Sequence, residues 1–502
     1  MGDRFRSALT LGLLALTLLL GLLLVGCNAE TQEPGGRSRT VAPTLTETAL
    51  PTSTPSPEPS PTPTPLVTAP AGGLPEHRID VALDYDGRRL DVEQRARLQN
   101  DSVERWQELL FFVPSAHLAG FALSGAQVTT RWQTHTVSPT LEGLFYRVPL
   151  PVPLEPGDPV QVAFDYAIQI PSVAPTAWPP VGNLGAGERL LQVGDWHAVL
   201  APYDEGQGWR TWSYRPVGDP TVYPVATFEV YLTAPSDVVI AAPGAQESDG
   251  PARRYYLTGA RNFAFLASRE YEVAFSRADG IPVTSYYLPE HAVAGEGLLE
   301  LAGRALPLYT ELYGPYPYPE LVIAENAYYG AMEYSGLISM SGYGYETYDG
   351  TPYSLLMPLT VHEIAHQWWF GAVGNDQVRA PWLDESFAKY SELLFLERYY
   401  PEATDWWWQS HIDYWSPSGA LDRSIYAFEE TSAYIHDIYG LGAHFLADLR
   451  ALMGDEAFFA FVREYRAANE GRLVTRDDLL QAVRAHTDAD LQPLLDAYFE
   501  MP

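Results

Sequence analysis

From His77 onward, apolar and polar residues alternate along the chain. Ile79, Val81, Leu83 and Tyr85 fall on one face, and beyond a turn at Asp86-Gly87 the rhythm resumes at Leu90, Val92, Ala96 and Leu98. Side chains two apart point the same way on a strand, so the stretch predicts paired strands with one buried face. VQVAFDYAIQI and TFEVYLTAP repeat the texture, with proline and glycine breaks between them. Residues 76–280 therefore predict an antiparallel β domain of the sandwich type, long enough to bury its own core.

Past Ile281 the spacing lengthens. GEGLLELAGRALPLYTELYG has helical periodicity and a stop at Gly314. PYPYPELVIAENAYYGAMEYSGLISM then predicts strands joined by tight turns. From Tyr353 the chain turns mostly helical, through HEIAHQWW, LDESFAKYSELLFLERYY, GLGAHFLADLRALMG, EAFFAFVREYRAANE and TRDDLLQAVRAHT. The fold class expected is α+β and multidomain, with a β-sandwich followed by a mostly helical domain over 281–502. No internal repeats are found.

The chain opens with a short basic segment and an apolar run from Leu9 to Val25, the layout of an export signal over residues 1–26. Leu24-Val25-Gly26-Cys27 has the form of a bacterial lipobox. Cys27 is the single cysteine, which excludes an intrachain disulfide and points to lipidation. Residues 27–75 are rich in Pro, Thr and Ser and too poor in apolar groups to build a core, so they are expected to form a disordered stalk. The expected location is extracytoplasmic, tethered to a membrane through lipid on Cys27. A formal charge of −32 argues against nucleic acid as a partner. The sequence leaves the oligomeric state open.

The chemistry concentrates in thirty residues. His362 and His366 are four apart on a predicted helix, so both imidazoles can reach one ion. Glu363 lies between them, where a general base for water belongs. After an eighteen-residue gap, Glu385 in WLDESFAKY offers a third donor from the next helix, and one Zn2+ per chain is expected with an open fourth position. Zinc lowers the pKa of water to near 7, and Glu363 would shuttle the proton to a leaving amine. The developing oxyanion needs one more donor; with no lysine expected near the site, a tyrosine hydroxyl is the natural candidate. Glu392, two turns after Glu385, faces the same side and is either a support for a histidine ligand or a solvent-facing carboxylate.

YGPYPYPEL, Gly330-Ala331-Met332-Glu333-Tyr334, HEIAHQWWFG, the gap and WLDESFA, in that order, resemble the aminopeptidase N family of gluzincin zinc metallopeptidases, over residues 77 to 499. The resemblance implies a thermolysin-like catalytic domain, zinc ligands at His362, His366 and Glu385, and a base at Glu363. It further implies that Glu333 binds the substrate α-amino group, that Gly330 and Ala331 line the substrate backbone, and that Tyr439 in a YxxG motif assists the transition state, with Tyr434 as runner-up. Peptides are the implied substrates. Three departures stand out. Tyr334 replaces an asparagine and is expected to alter the wall beside the amine. Asp384 and Ser386 change WLNEGFA to WLDESFA. The long helical domain of many relatives has no counterpart among the 117 residues after Glu385. In the β domain, Gln192 or Asp195 is a candidate second amine ligand.

His411, His436, His444 and His486 are expected to be packing or surface residues, as is Trp406-Trp407-Trp408. Trp369, where a metzincin needs glycine, excludes that class. Two rivals remain at this level: an endopeptidase, or a relaxed-specificity peptidase, and a non-catalytic surface scaffold.

Overall fold

In this computed structural model the described residues are 67–246 and 251–500. The expected signal segment, Cys27 and most of the stalk lie outside them. Among the described residues no helix is long and apolar enough to cross a membrane.

The alternation at the start of the chain becomes Glu76–Asp84 and Arg89–Gln99, paired antiparallel, with Ile79, Val81, Leu90, Val92 and Leu98 buried. They sit inside an eight-stranded sheet that also holds Pro159–Gln169 and Ala226–Thr233. A four-stranded sheet containing Trp106–Phe112 and Phe145–Leu154 shares its core, where the Phe111 and Phe164 rings meet edge to face at 4.9 Å. The sheets are not wholly antiparallel. Glu76–Asp84 runs parallel to Ala226–Thr233; the chain traverses the second layer before returning, and only such a long connection permits a parallel neighbour.

The sheet of the C-terminal half begins with Glu272–Ala278, which pairs with Ile281–Tyr287 and through it with Leu321–Glu325 and Leu337–Met340. Helix α1 (Ala292–Tyr313) packs Leu298, Ala302, Leu306 and Tyr309 inward and stops at Gly314, whose φ of +100° suits glycine. The Tyr309 hydroxyl reaches the carbonyls of Val361 (3.2 Å) and Ser391 (3.0 Å), so α1 ties together helix α2 (Leu356–Ala365) and helix α3 (Trp382–Tyr399). Helix α4 (Gly440–Met453) is entered through a widened turn, Ile435–Tyr439, that carries Tyr439. The expected HEIAHQWW helix is shorter than its pattern suggests, because α2 ends at Ala365 and the chain turns over residues 366–373.

Candidate active site

Every residue of α2 from Val361 to Ala365 is buried, so the charged pair His362-Glu363 cannot be a solvated face. The two imidazoles turn their Nε2 atoms together at 3.1 Å, and Glu385 Oε2 from α3 lies 3.3 Å from each. The far nitrogens are already used: His362 Nδ1 donates to Glu392 Oε1 at 2.9 Å, and His366 Nδ1 donates to the Trp369 carbonyl at 2.8 Å. Glu385 Oε2 is buried without a hydrogen-bond partner. Ligand atoms of a tetrahedral zinc with bonds near 2 Å stand ~3.3 Å apart, so the triangle fits that ion.

The electrostatics agree. Burial favours neutral imidazole at His362, yet the neighbouring carboxylates of Glu385 and Glu392 prevail and raise it to about 9. Burial also opposes charge on Glu385, but the two histidines hold it down at about 2. The cluster attracts positive charge, as a dication site must.

Around it lies a cavity of about 200 Å³ lined by Gly330, Ala331, Glu333, Glu363, Tyr434 and Tyr439, among others. Ligand atoms of Glu333, Glu363 and His366 lie within 4.8 Å of one another. Burial pushes Glu363 up to about 8 against the pull of His362 and His366. The Tyr439 hydroxyl donates to Glu385 Oε1 at 2.6 Å, and its ring stacks on His362 at 5.5 Å. Gly330 brings the backbone so close to Pro179 that a Cβ would lie 2.7 Å from its Cδ.

Several sequence expectations need correction. Tyr334 is not in the cavity wall: it turns into the β domain, where its hydroxyl accepts from Gln192 Nε2 at 3.1 Å. Gly194 makes the space, since a Cβ there would stand 2.0 Å from that hydroxyl. Gln192 also contacts Tyr328 and Ser339, and Asp195 is held by Tyr223 and Asn183; neither lines the cavity. Ser386 is tolerated because Gly442 faces it. A lysine is present after all. Lys389, the only one in the chain, lines the cavity, but its Nζ is bound to both oxygens of Glu392 at 2.9 and 3.1 Å.

The sequence reading also missed residues. Trp407 Nε1 donates to Glu392 Oε2 at 2.7 Å, so the tryptophan run helps hold the carboxylate behind His362. His411 lines the cavity, whereas His436 stacks on Trp415 and His444 and His486 pair with Asp413 and Glu464. Gln377 Nε2 bridges Asp384 Oδ2 (3.0 Å) and Glu333 Oε1 (3.4 Å). Asp219 reaches the cavity from the β domain. Lys389's singularity and the tryptophan run were usable signals; nothing in the pattern marked Gln377 or Asp219.

With Lys389 and Trp407 fixing it, Glu392 sets the orientation of His362. Glu392→Gln is expected to weaken zinc binding about 10- to 100-fold, read by titration against a competing chelator. Unchanged affinity would remove Glu392 from the metal site.

Fold and site together present the three-donor arrangement that a zinc site of the gluzincin type needs. Residues 298–498 match the Peptidase family M1 domain. Aminopeptidase N of Lactobacillus helveticus is 28% identical over 247 residues, 45% of this chain and 29% of the relative. Human endoplasmic reticulum aminopeptidase 1 is 26% identical over 243 residues, 45% of this chain and 26% of the relative. The matches thus span under a third of these curated relatives. An M1 zinc metallopeptidase structure from Deinococcus radiodurans has a similar fold at TM-score 0.59 and 22% identity, over 85% of this chain and 94% of that one. A mutant of that protein has been solved with a Tyr-Ser-Ala substrate.

Proposed function

We propose that the protein is an aminopeptidase that releases N-terminal residues from peptides. The observation that carries the reading is Glu333. It is a buried carboxylate outside the ligand triangle, yet grouped within 4.8 Å with Glu363 and His366. An ammonium held there would set the first peptide bond beside Glu363 and the ligand triangle.

His362, His366 and Glu385 would hold the zinc. Bound there, zinc supplies a Lewis acid that polarises the scissile carbonyl and lowers the pKa of water. Glu363 Oε takes a proton from the attacking water and returns it to the leaving nitrogen. The Tyr439 hydroxyl donates to the oxygen that gains charge. Glu392, held by Lys389 and Trp407, keeps His362 aimed. The similarity to aminopeptidases N supports these roles.

The test compares leucyl and N-acetyl-leucyl fluorogenic amides on the zinc-loaded protein. The free amine is expected to react at least ~100-fold faster in kcat/KM, about 2.7 kcal/mol. Equal rates would reject the aminopeptidase reading in favour of an endopeptidase. Tyr334 faces away from the cavity, which supports amine recognition by Glu333.

We also propose that the enzyme works outside the cytoplasm on a proline-rich stalk, tethered through lipid on Cys27. Cys27→Ser is expected to move it from the membrane to the soluble fraction; full retention would reject the anchor.

A further inference from the structure

One carboxylate in the cavity has no task in this scheme. Asp219 is 8% exposed and lines the same cavity as Glu333. Among the described residues no hydrogen bond reaches its side chain; only its carbonyl is used, accepting from the Thr221 N–H at 2.8 Å.

The loop that carries it is fastened to the C-terminal half. Ser213 and the Tyr426 hydroxyl exchange two hydrogen bonds of 2.9 Å, and Arg215 Nε donates to the Phe428 carbonyl at 2.9 Å. Gly218, at φ +59°, is pressed so close to Tyr434 that a Cβ would lie 2.8 Å from the ring. Asp219 therefore cannot swing out to water without breaking these contacts. Burial first, and then the charges of Glu333, Glu385 and Asp384, hold its carboxyl well above the ordinary carboxylate range. An acid held unpaired, out of water and among other acids is costly unless a cation arrives.

The charges lining the cavity say how much cation is wanted. Asp219, Glu333, Glu363, Glu385 and Glu392 line it, and Lys389 is the one lysine or arginine among the lining residues. A substrate α-ammonium satisfies only one of these acids.

Building on the aminopeptidase reading, we propose that Asp219 pairs with a second positive charge, so that the enzyme prefers peptides beginning with lysine or arginine. The α-ammonium goes to Glu333 and the side-chain cation to Asp219. The apolar lining from Trp178, Pro179 and Met332 suits the methylene stem between the two charges.

The test uses aminoacyl amides of lysine, arginine, leucine and norleucine, the last an uncharged near-match to the lysine stem, on the zinc-loaded protein. Native enzyme is expected to favour lysine over norleucine at least tenfold in kcat/KM. Asp219→Asn should bring that ratio within about twofold, and Asp219→Glu should retain most of it. Each ratio is internal to one protein, so partial misfolding cancels. A ratio unchanged by Asp219→Asn, or no native preference, overturns the inference. So does an equal loss on all four substrates, which would assign Asp219 to the α-ammonium or the fold. An N-acetyl-lysyl amide cleaved as fast as the free one would instead defeat the aminopeptidase reading, whatever the lysine ratio shows.

Discussion

Glu363→Gln is expected to lower kcat by ~10³-fold, within the 10²- to 10⁴-fold range of general acid–base groups, while zinc content stays at one per chain. Glutamine keeps the shape and the hydrogen-bonding reach of the side chain but takes up no proton. Glu363 is buried, and burial pushes it up to about 8, above the ordinary carboxylate range. A base matched to its working pH transfers protons in both directions, as amide hydrolysis requires. The three atoms that converge for zinc do not include Glu363, so the metal should remain. Turnover above about a tenth of the native value would show that the base lies elsewhere. Loss of zinc together with activity would make Glu363 a structural part of the metal site.

The site was legible where chemistry depends on spacing along a helix. Histidines four apart must share a face, and Glu392, seven after Glu385, must return to the same side of α3. The strands were legible for a similar reason, since a half-buried sheet writes its pattern into neighbouring residues. Ile79 and Leu90 could be placed without knowing what lay across from them.

What depended on distant partners was not legible. The parallel partner of Glu76–Asp84 arrives only at Ala226, and no local pattern announces it. Tyr334 sits in a motif whose neighbours face the substrate, yet it turns away because Gly194, in another domain, leaves a gap for its hydroxyl. Asp219 is one acid among 63 acidic residues until the loop around Gly218 is seen against Tyr434. Helix α2 stops early for the same kind of reason. HEIAHQWW keeps helical periodicity through Trp369, but the turn behind it is held by an arginine more than a hundred residues earlier.

That arginine supports the second large prediction. Arg261→Met is expected to destabilise the protein by about 3–5 kcal/mol, as breaking a buried hydrogen-bond network and leaving several carbonyls unsatisfied does. Arg261 is fully buried and, among the described residues, its guanidinium has carbonyl partners and no carboxylate in contact. Burial lowers it to about 10, so it remains a cation at neutral pH. Its donors reach Phe370 and Gly371 (3.1 Å), Tyr223 (2.8 Å), Ala372 (3.4 Å) and Arg472 (2.9 Å), joining the β domain to the turn that follows His366. Phe370 adopts φ 122° in that turn, which a side chain rarely tolerates without such support. Methionine would fill much of the volume and leave those carbonyls without their donors. The apparent melting temperature should fall by roughly 10 °C. Zinc affinity should fall with it, because the Trp369 carbonyl that orients His366 belongs to the same turn. Arg261→Lys should lie between, since three donors at one point cannot match a planar fork of five. A melting temperature within about 2 °C of native for Arg261→Met would mean that the turn holds its shape unaided, and that the metal site does not depend on the β domain behind it.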